Sequence, residues 1–188
     1  MKRRRKKMAG RYFLALDLSP RAKDAVQAVV APLKGQFPGA RWVSRDNYHI
    51  TLVFLGEREK DFLDKFAREA ESLAEGQPPF SLSLQGWGFF PNPRRARVMY
   101  MGTGQGAEAV SFLAGALRAW AGEEEKCFHP HLTVARFRQP PALVTPEDYL
   151  PIVLEVRELT LFSSTLTPAG PIYRVVDKFS LSGIARGE

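Results

Sequence analysis

The sequence predicts an α+β protein of two similar lobes. Each lobe is an antiparallel sheet, the two are related by a pseudo-two-fold with a central cleft between them, and helices cover the outer faces. Three observations predict it. Segments rich in β-branched and aromatic residues dominate the chain, with no linker long enough to separate independent domains. Segments with apolar residues at helical spacing are interspersed among them. One short word, H-x-T, occurs twice, as HITL from His49 and HLTV from His131, each on a predicted strand in its own half.

Taken in order, RYFLALDL (11–18) reads as a mostly apolar first strand. Ser19 then caps a helix and Pro20 opens it. Ala22, Ala25, Val26, Val29 and Val30 line the apolar face of that helix, which stops near Gly35. ARWV and YHITLVFLG (48–56) are strand material. From Glu57 to Leu73, apolar residues including Phe62, Phe66, Ala70 and Leu73 recur at helical spacing, and Gly76 with Pro78 and Pro79 closes the helix. FSLSLQGWGFF and ARVMYMG read as strands joined through PNPRR. Val110, Leu113, Leu117 and Trp120 mark a helix over Ala107–Ala121, stopped by Gly122. FHPHLTVARF is a strand, a Pro-rich connection (139–146) follows, and VLEVRELTLFSS and IYRVVDKFSLS end the chain as strands around the turn TPAGP.

Composition bounds the function. With 188 residues, 45% hydrophobic and 11% aromatic, residues 11–188 suffice for one bilobal domain with a sizeable core. The net charge of +7 suggests nucleic acid until it is located: KRRRKK (2–7) carries six of those charges, so the body is close to neutral. Residues 1–10 are expected to form a disordered, solvated basic tail, and any case for RNA or DNA rests on the site. No apolar run approaches the ~20 residues a membrane helix requires, and Asp17 interrupts the first apolar stretch, against a secretory signal. A lone cysteine, Cys127, excludes an internal disulfide and fits a reducing cytoplasm.

The duplicated word carries the chemistry. On a strand, residues i and i+2 share a face, so His49 stands beside Thr51 and His131 beside Thr133, while Ile50 and Leu132 point into the opposite layer. Two opposed histidines suit in-line displacement at phosphorus, where attacking and leaving oxygens lie on opposite sides. One imidazole, neutral, takes a proton from the attacking hydroxyl or water, and the other, charged, gives one to the departing oxygen. An ordinary histidine pKa of about 6.5 permits both forms near neutrality. The threonine hydroxyls would hold the non-bridging oxygens, with Arg136 at the end of the second strand as the cation beside them. From the residues alone, a solvated strand end explains Arg136 nearly as well. The near-symmetry of the motifs does not say which histidine is acid and which base.

His129 and Cys127 complete a C-x-H-x-H pattern that resembles part of a zinc site. A zinc hydrolase using His129 and His131 is therefore an alternative, although ligands alternating so closely on one strand crowd each other and nearby Glu123, Glu124 and Glu125 read as a solvated run. A Cys127 nucleophile is weaker still, since nothing in the sequence supplies an oxyanion site. The other alternative is a noncatalytic RNA-binding module that keeps a phosphate pocket.

With these residues in view, YHITLVFLGE and FHPHLTVARF resemble the paired motifs of the 2H phosphoesterase superfamily, and within it the RNA 2′,3′-cyclic phosphodiesterases, historically called 2′-5′ RNA ligases. The resemblance runs from RYFLALDL to STLTPAGPIYRVV. It implies metal-independent hydrolysis of a 2′,3′-cyclic phosphate at an RNA 3′ end to a 2′-phosphomonoester, with His49 as proton donor to the leaving 3′ oxygen and His131 as the base that activates water. Thr51, Thr133 and Arg136 match its phosphate-holding positions. It also implies reverse 2′-5′ ligation in vitro. No cofactor and no membrane are expected. The expected partner is RNA with a cyclic phosphate end, such as a tRNA fragment, or a cyclic nucleotide, and the protein is expected to act as a cytoplasmic monomer.

Overall fold

The computed structural model describes residues 11–123, 128–142, 146–168 and 170–184. The basic tail and Cys127, the subjects of two expectations above, lie outside the described residues. Among those described, the elements in chain order are β1 (Arg11–Asp17), α1 (Pro20–Val30), β2 (Ala40–Trp42), β3 (His49–Glu57), α2 (Lys60–Gly76), β4 (Phe80–Phe90), β5 (Val98–Thr103), α3 (Ala107–Trp120), β6 (His131–Phe137), β7 (Ile152–Val156), β8 (Glu158–Thr167) and β9 (Gly170–Ser180). The α+β class with antiparallel pairing holds throughout.

The strands run β7-β4-β5-β6-β3-β1-β8-β9, with β2 added beside β6. Two four-stranded leaves are visible in that order, β7-β4-β5-β6 and β3-β1-β8-β9, and they meet at one residue pair, Ile50↔Leu132. That pair sits inside the two H-x-T words, so the seam of the sheet brings the motifs side by side. A strand–helix–strand unit feeds each side of the seam: β1, α1 and β3 in one leaf, β5, α3 and β6 in the other.

Local rules explain most boundaries. The Ser19 hydroxyl accepts a hydrogen bond from the Ala22 amide at 3.3 Å, and Pro20 occupies the first helical position of α1. The α-helix ends at Val30, earlier than the expected Gly35, because Pro32 cannot continue the ladder, and Ala31–Lys34 tightens into a 3-10 turn. The segment VLEVRELTLFSS is the instructive departure. It reads as one strand, but it divides at Arg157: β7 pairs with β4 on the edge of one leaf, and β8 pairs with β1 and β9 in the other. The apolar alternation changes phase there, from buried Leu154 and Val156 to buried Leu159 and Leu161, a local trace of the break that reading the segment as one strand passes over.

All three helices cover one face of the sheet. Val26 of α1, Phe66 of α2 and Leu113 of α3 share a core with Leu14, Ile50, Leu82 and Leu132, each fully buried. Burying a Leu, Ile or Phe side chain contributes roughly 1.5–3 kcal/mol, so this layer fixes the strand faces. The alternate residues then point to the open side, where a second, smaller apolar cluster of Phe13, Ala15 and Phe162 forms under Tyr173.

Candidate active site

On the open side, a cleft of about 1210 Å³ runs along the seam. His49, Thr51, His131, Thr133 and Arg136 all line it, so the structure brings together every residue singled out as catalytic or phosphate-holding. The alternation of β3 and β6 explains the first four. Arg136 requires more, since a residue five places after His131 on a regular strand faces the opposite side. A β-bulge resolves it: Tyr100 pairs with Thr133 but Met99 pairs with Ala135, leaving Val134 as an extra residue in β6. The bulge reverses the alternation and returns Arg136 to the cleft face. The first motif repeats the device. Ala15 pairs with Thr51 and Leu14 with Val53, so Leu52 is the extra residue and Phe54 turns back into the cleft.

The histidines are held alike. His49 Nδ1–H donates to the Asn47 carbonyl at 2.7 Å, and His131 Nδ1–H donates to the His129 carbonyl at 2.7 Å. With Nδ1 committed as a donor, the neutral ring keeps its lone pair on Nε2, and the charged ring carries its exchangeable proton there. Thr51 Oγ1 lies 3.0 Å from His49 Nε2 and donates its hydroxyl proton to the neutral ring. Asn47 is itself fastened, its side-chain amide donating to the Pro171 carbonyl at 3.0 Å.

This geometry has relatives. Residues 16–100 match the family model described as LigT like Phosphoesterase. The chain is 36% identical over 189 residues to the RNA 2′,3′-cyclic phosphodiesterase of Thermus thermophilus, covering 92% of this chain and 91% of the relative. It is 32% identical over 180 residues to the protein of the same name from Thermotoga maritima, covering 92% and 96%. Among solved structures, Escherichia coli LigT complexed with 3′-AMP superposes with a TM-score of 0.78 at 28% identity, over 93% of this chain and 99% of that one.

The chain belongs to the LigT-like 2H phosphoesterases.

In this phosphoesterase, aromatic rings hold the histidines from below. His49 lies 4.9 Å from Phe13 and 5.3 Å, edge to face, from Tyr173 (ring centroids). His131 lies 5.0 Å from Phe90 and 5.1 Å from Tyr100, which stack on each other at 4.3 Å. Such rings fix the imidazole planes and exclude water from one side of each. Sequence reading passed over Phe13, Phe54, Phe90, Tyr100 and Tyr173 because aromatic residues on strands read as core. Phe54 alone had a signal, the H-x-T-x-x-F and H-x-T-x-x-R parallel, which the two bulges explain; the other four rings had none.

Burial lowers the pKa of both histidines. His49 falls to about 4; burial is the principal cause, and the Asn47 carbonyl and Asp17 partly offset it. Asp17 pairs with His49 across β1 and β3 but is ion-paired at 2.8 Å with Lys23, which dilutes its pull. His131 is lowered to a smaller extent, by burial first and by the charges of His129 and Arg136. His129 is exposed at the cleft rim. Among the described residues, no three His, Cys, Asp or Glu side chains gather closely enough to hold a metal ion. Cys127 of the C-x-H-x-H pattern is not among them. No described helix is long and apolar enough to cross a membrane.

Gly88 of β4 shows how tightly the Tyr100 ring is seated. A Cβ there would lie 2.1 Å from the ring carbon Cζ, far inside contact distance. Gly88→Ala is expected to displace Tyr100 and loosen His131, lowering kcat by about tenfold. A crystal structure of the variant with Tyr100 unmoved would refute the seat.

Proposed function

We propose that this phosphoesterase hydrolyses RNA 2′,3′-cyclic phosphate ends to 2′-phosphomonoesters without a metal ion. His49 gives its Nε2 proton to the leaving 3′ oxygen while His131 Nε2 takes a proton from water. Thr51, Thr133 and Arg136 hold the non-bridging oxygens. With an RNA 5′ hydroxyl in place of water, the same attack and the same two proton transfers form a 2′-5′ linkage in vitro. The observation that carries this reading is the pair of rings anchored through Nδ1, which turns both Nε2 atoms toward one cleft. The names of the curated relatives supply the substrate class.

Burial beside the cleft favours neutral histidines, as a base requires. A bound phosphodiester supplies the negative charge that favours the protonated form of the donor, so the acid is charged by the substrate it serves.

The assay is an RNA oligonucleotide ending in a 2′,3′-cyclic phosphate, incubated with and without EDTA, with the product identified by ³¹P NMR. A 2′-phosphomonoester formed at equal rates in both conditions is expected. Chelator-sensitive turnover would transfer the chemistry to a metal, and binding without turnover would make the protein a module that only holds RNA.

Phe54 is 63% exposed and lines the cleft beside Phe13, at 6.2 Å between rings. An exposed aromatic on the wall of a phosphate site is a platform for a base, and such stacking is worth about 1–3 kcal/mol. Phe54→Ala is therefore expected to lower kcat/KM by about 5- to 150-fold, and an unchanged kcat/KM would remove Phe54 from the site.

A further inference from the structure

Arg41 is a cation of the cleft that the proposed chemistry leaves without a task. It is the middle residue of β2, between half-buried Ala40 and Trp42, so alternation sends its side chain to the open side. There it lies directly opposite Arg136 in the β2–β6 pairing, and both residues line the cleft. Like charges directly opposed across an antiparallel pair are unfavourable. Nothing relieves this pair: among the described residues, neither arginine meets a carboxylate within ion-pair distance. Lys23, Arg45 and Arg118 are neutralised, by Asp17 at 2.8 Å, Asp24 at 2.6 Å and Glu123 at 3.1 Å. Arg11 at the start of β1 also lines the cleft with no ion pair among the described residues, but it does not face Arg136 across a strand pair. Two exposed, unneutralised guanidiniums side by side in a concave site are the arrangement that two phosphate charges, not one, would satisfy.

We propose that Arg41 binds a second phosphate of the substrate, on the 5′ side of the nucleotide that carries the cyclic end. The inference rests on the phosphodiesterase reading, in which Arg136 holds the phosphate under attack. In an RNA ending in a 2′,3′-cyclic phosphate, every other phosphate lies 5′ of that end, so a second anion subsite selects for a 5′-phosphorylated terminal nucleotide. The subsite thus distinguishes RNA ends from free cyclic nucleosides.

The test compares kcat/KM for adenosine 2′,3′-cyclic phosphate with a free 5′ hydroxyl and for the same compound bearing a 5′-phosphate. Wild-type enzyme is expected to prefer the 5′-phosphorylated compound by about tenfold or more, the size of one hydrogen bond between charged groups. In Arg41→Gln the ratio falls toward one, and in Arg41→Lys, which keeps the charge, most of it survives. Equal use of the two compounds by wild-type enzyme overturns the subsite, as does an undiminished ratio in Arg41→Gln. Hydrolysis of neither compound by wild-type enzyme overturns instead the phosphodiesterase reading beneath it.

Discussion

Alanine at either His49 or His131 is expected to lower kcat on a cyclic phosphate end by about 10²–10⁴-fold, the contribution of one positioned proton-transfer group. The two losses should combine less than additively, because acid and base act in one transition state. Both rings are anchored through Nδ1 to a carbonyl two residues earlier, so Asn or Gln would also misplace the reacting nitrogen. The pH profile carries the sign. The free enzyme must hold one histidine charged and one neutral, and burial lowers both pKa values, His49 to about 4. The alkaline limb of kcat/KM, set by loss of the donor's proton, should therefore fall on the acid side of the ordinary histidine value of about 6.5. In kcat the bound phosphate raises the donor's pKa, so that limb should move upward. A rate flat between pH 5 and pH 9 would sink the pair.

Acid and base are separated by changing the leaving group. A 3′-deoxynucleoside 2′-(4-nitrophenyl) phosphate expels a phenolate that requires no proton. With His49 as donor, His49→Ala should recover most of its activity on that substrate while His131→Ala stays impaired. The reverse pattern would exchange the two roles.

The second large effect belongs to Arg136. Arg136→Ala is expected to lower kcat by about 10²–10³-fold, the usual cost of removing one preorganised donor from developing negative charge. Arg136→Lys should restore only part, because an ammonium cannot grip two oxygens with a planar fork. Arg136 is exposed in the strand and outside the core, so stability should change little. A loss in kcat matched by a loss in melting temperature would reassign it to the scaffold.

Much of this site was readable in the chain. The two H-x-T words located the histidines and threonines because strand alternation is a local property. The bounds of α3 and the end of α2 followed from apolar spacing in the same way, but α2 starts at Lys60 and not at the expected Glu57, which is the last residue of β3. Arg136 was named from the chain, but its orientation toward the cleft was not derivable: in a regular strand it would face the helices. Only the bulge at Val134, formed against Met99 and Tyr100, turns it into the cleft. The break at Arg157 left a local trace, the change of phase from Leu154 and Val156 to Leu159 and Leu161, but that β7 and β8 join different leaves was not written in it.

By itself the sequence determined the element types, the duplicated motif and the class of chemistry, all of which depend on side-chain identity and short-range period. Tertiary structure decided which partners meet. The single Ile50↔Leu132 pair places the two words at the seam of the sheet, the bulges bring Phe54 and Arg136 onto the face of the histidines, and β2 sets Arg41 beside Arg136. These are matters of register between distant strands. Register is chosen by how the buried faces fit the helices, and no local pattern records that choice.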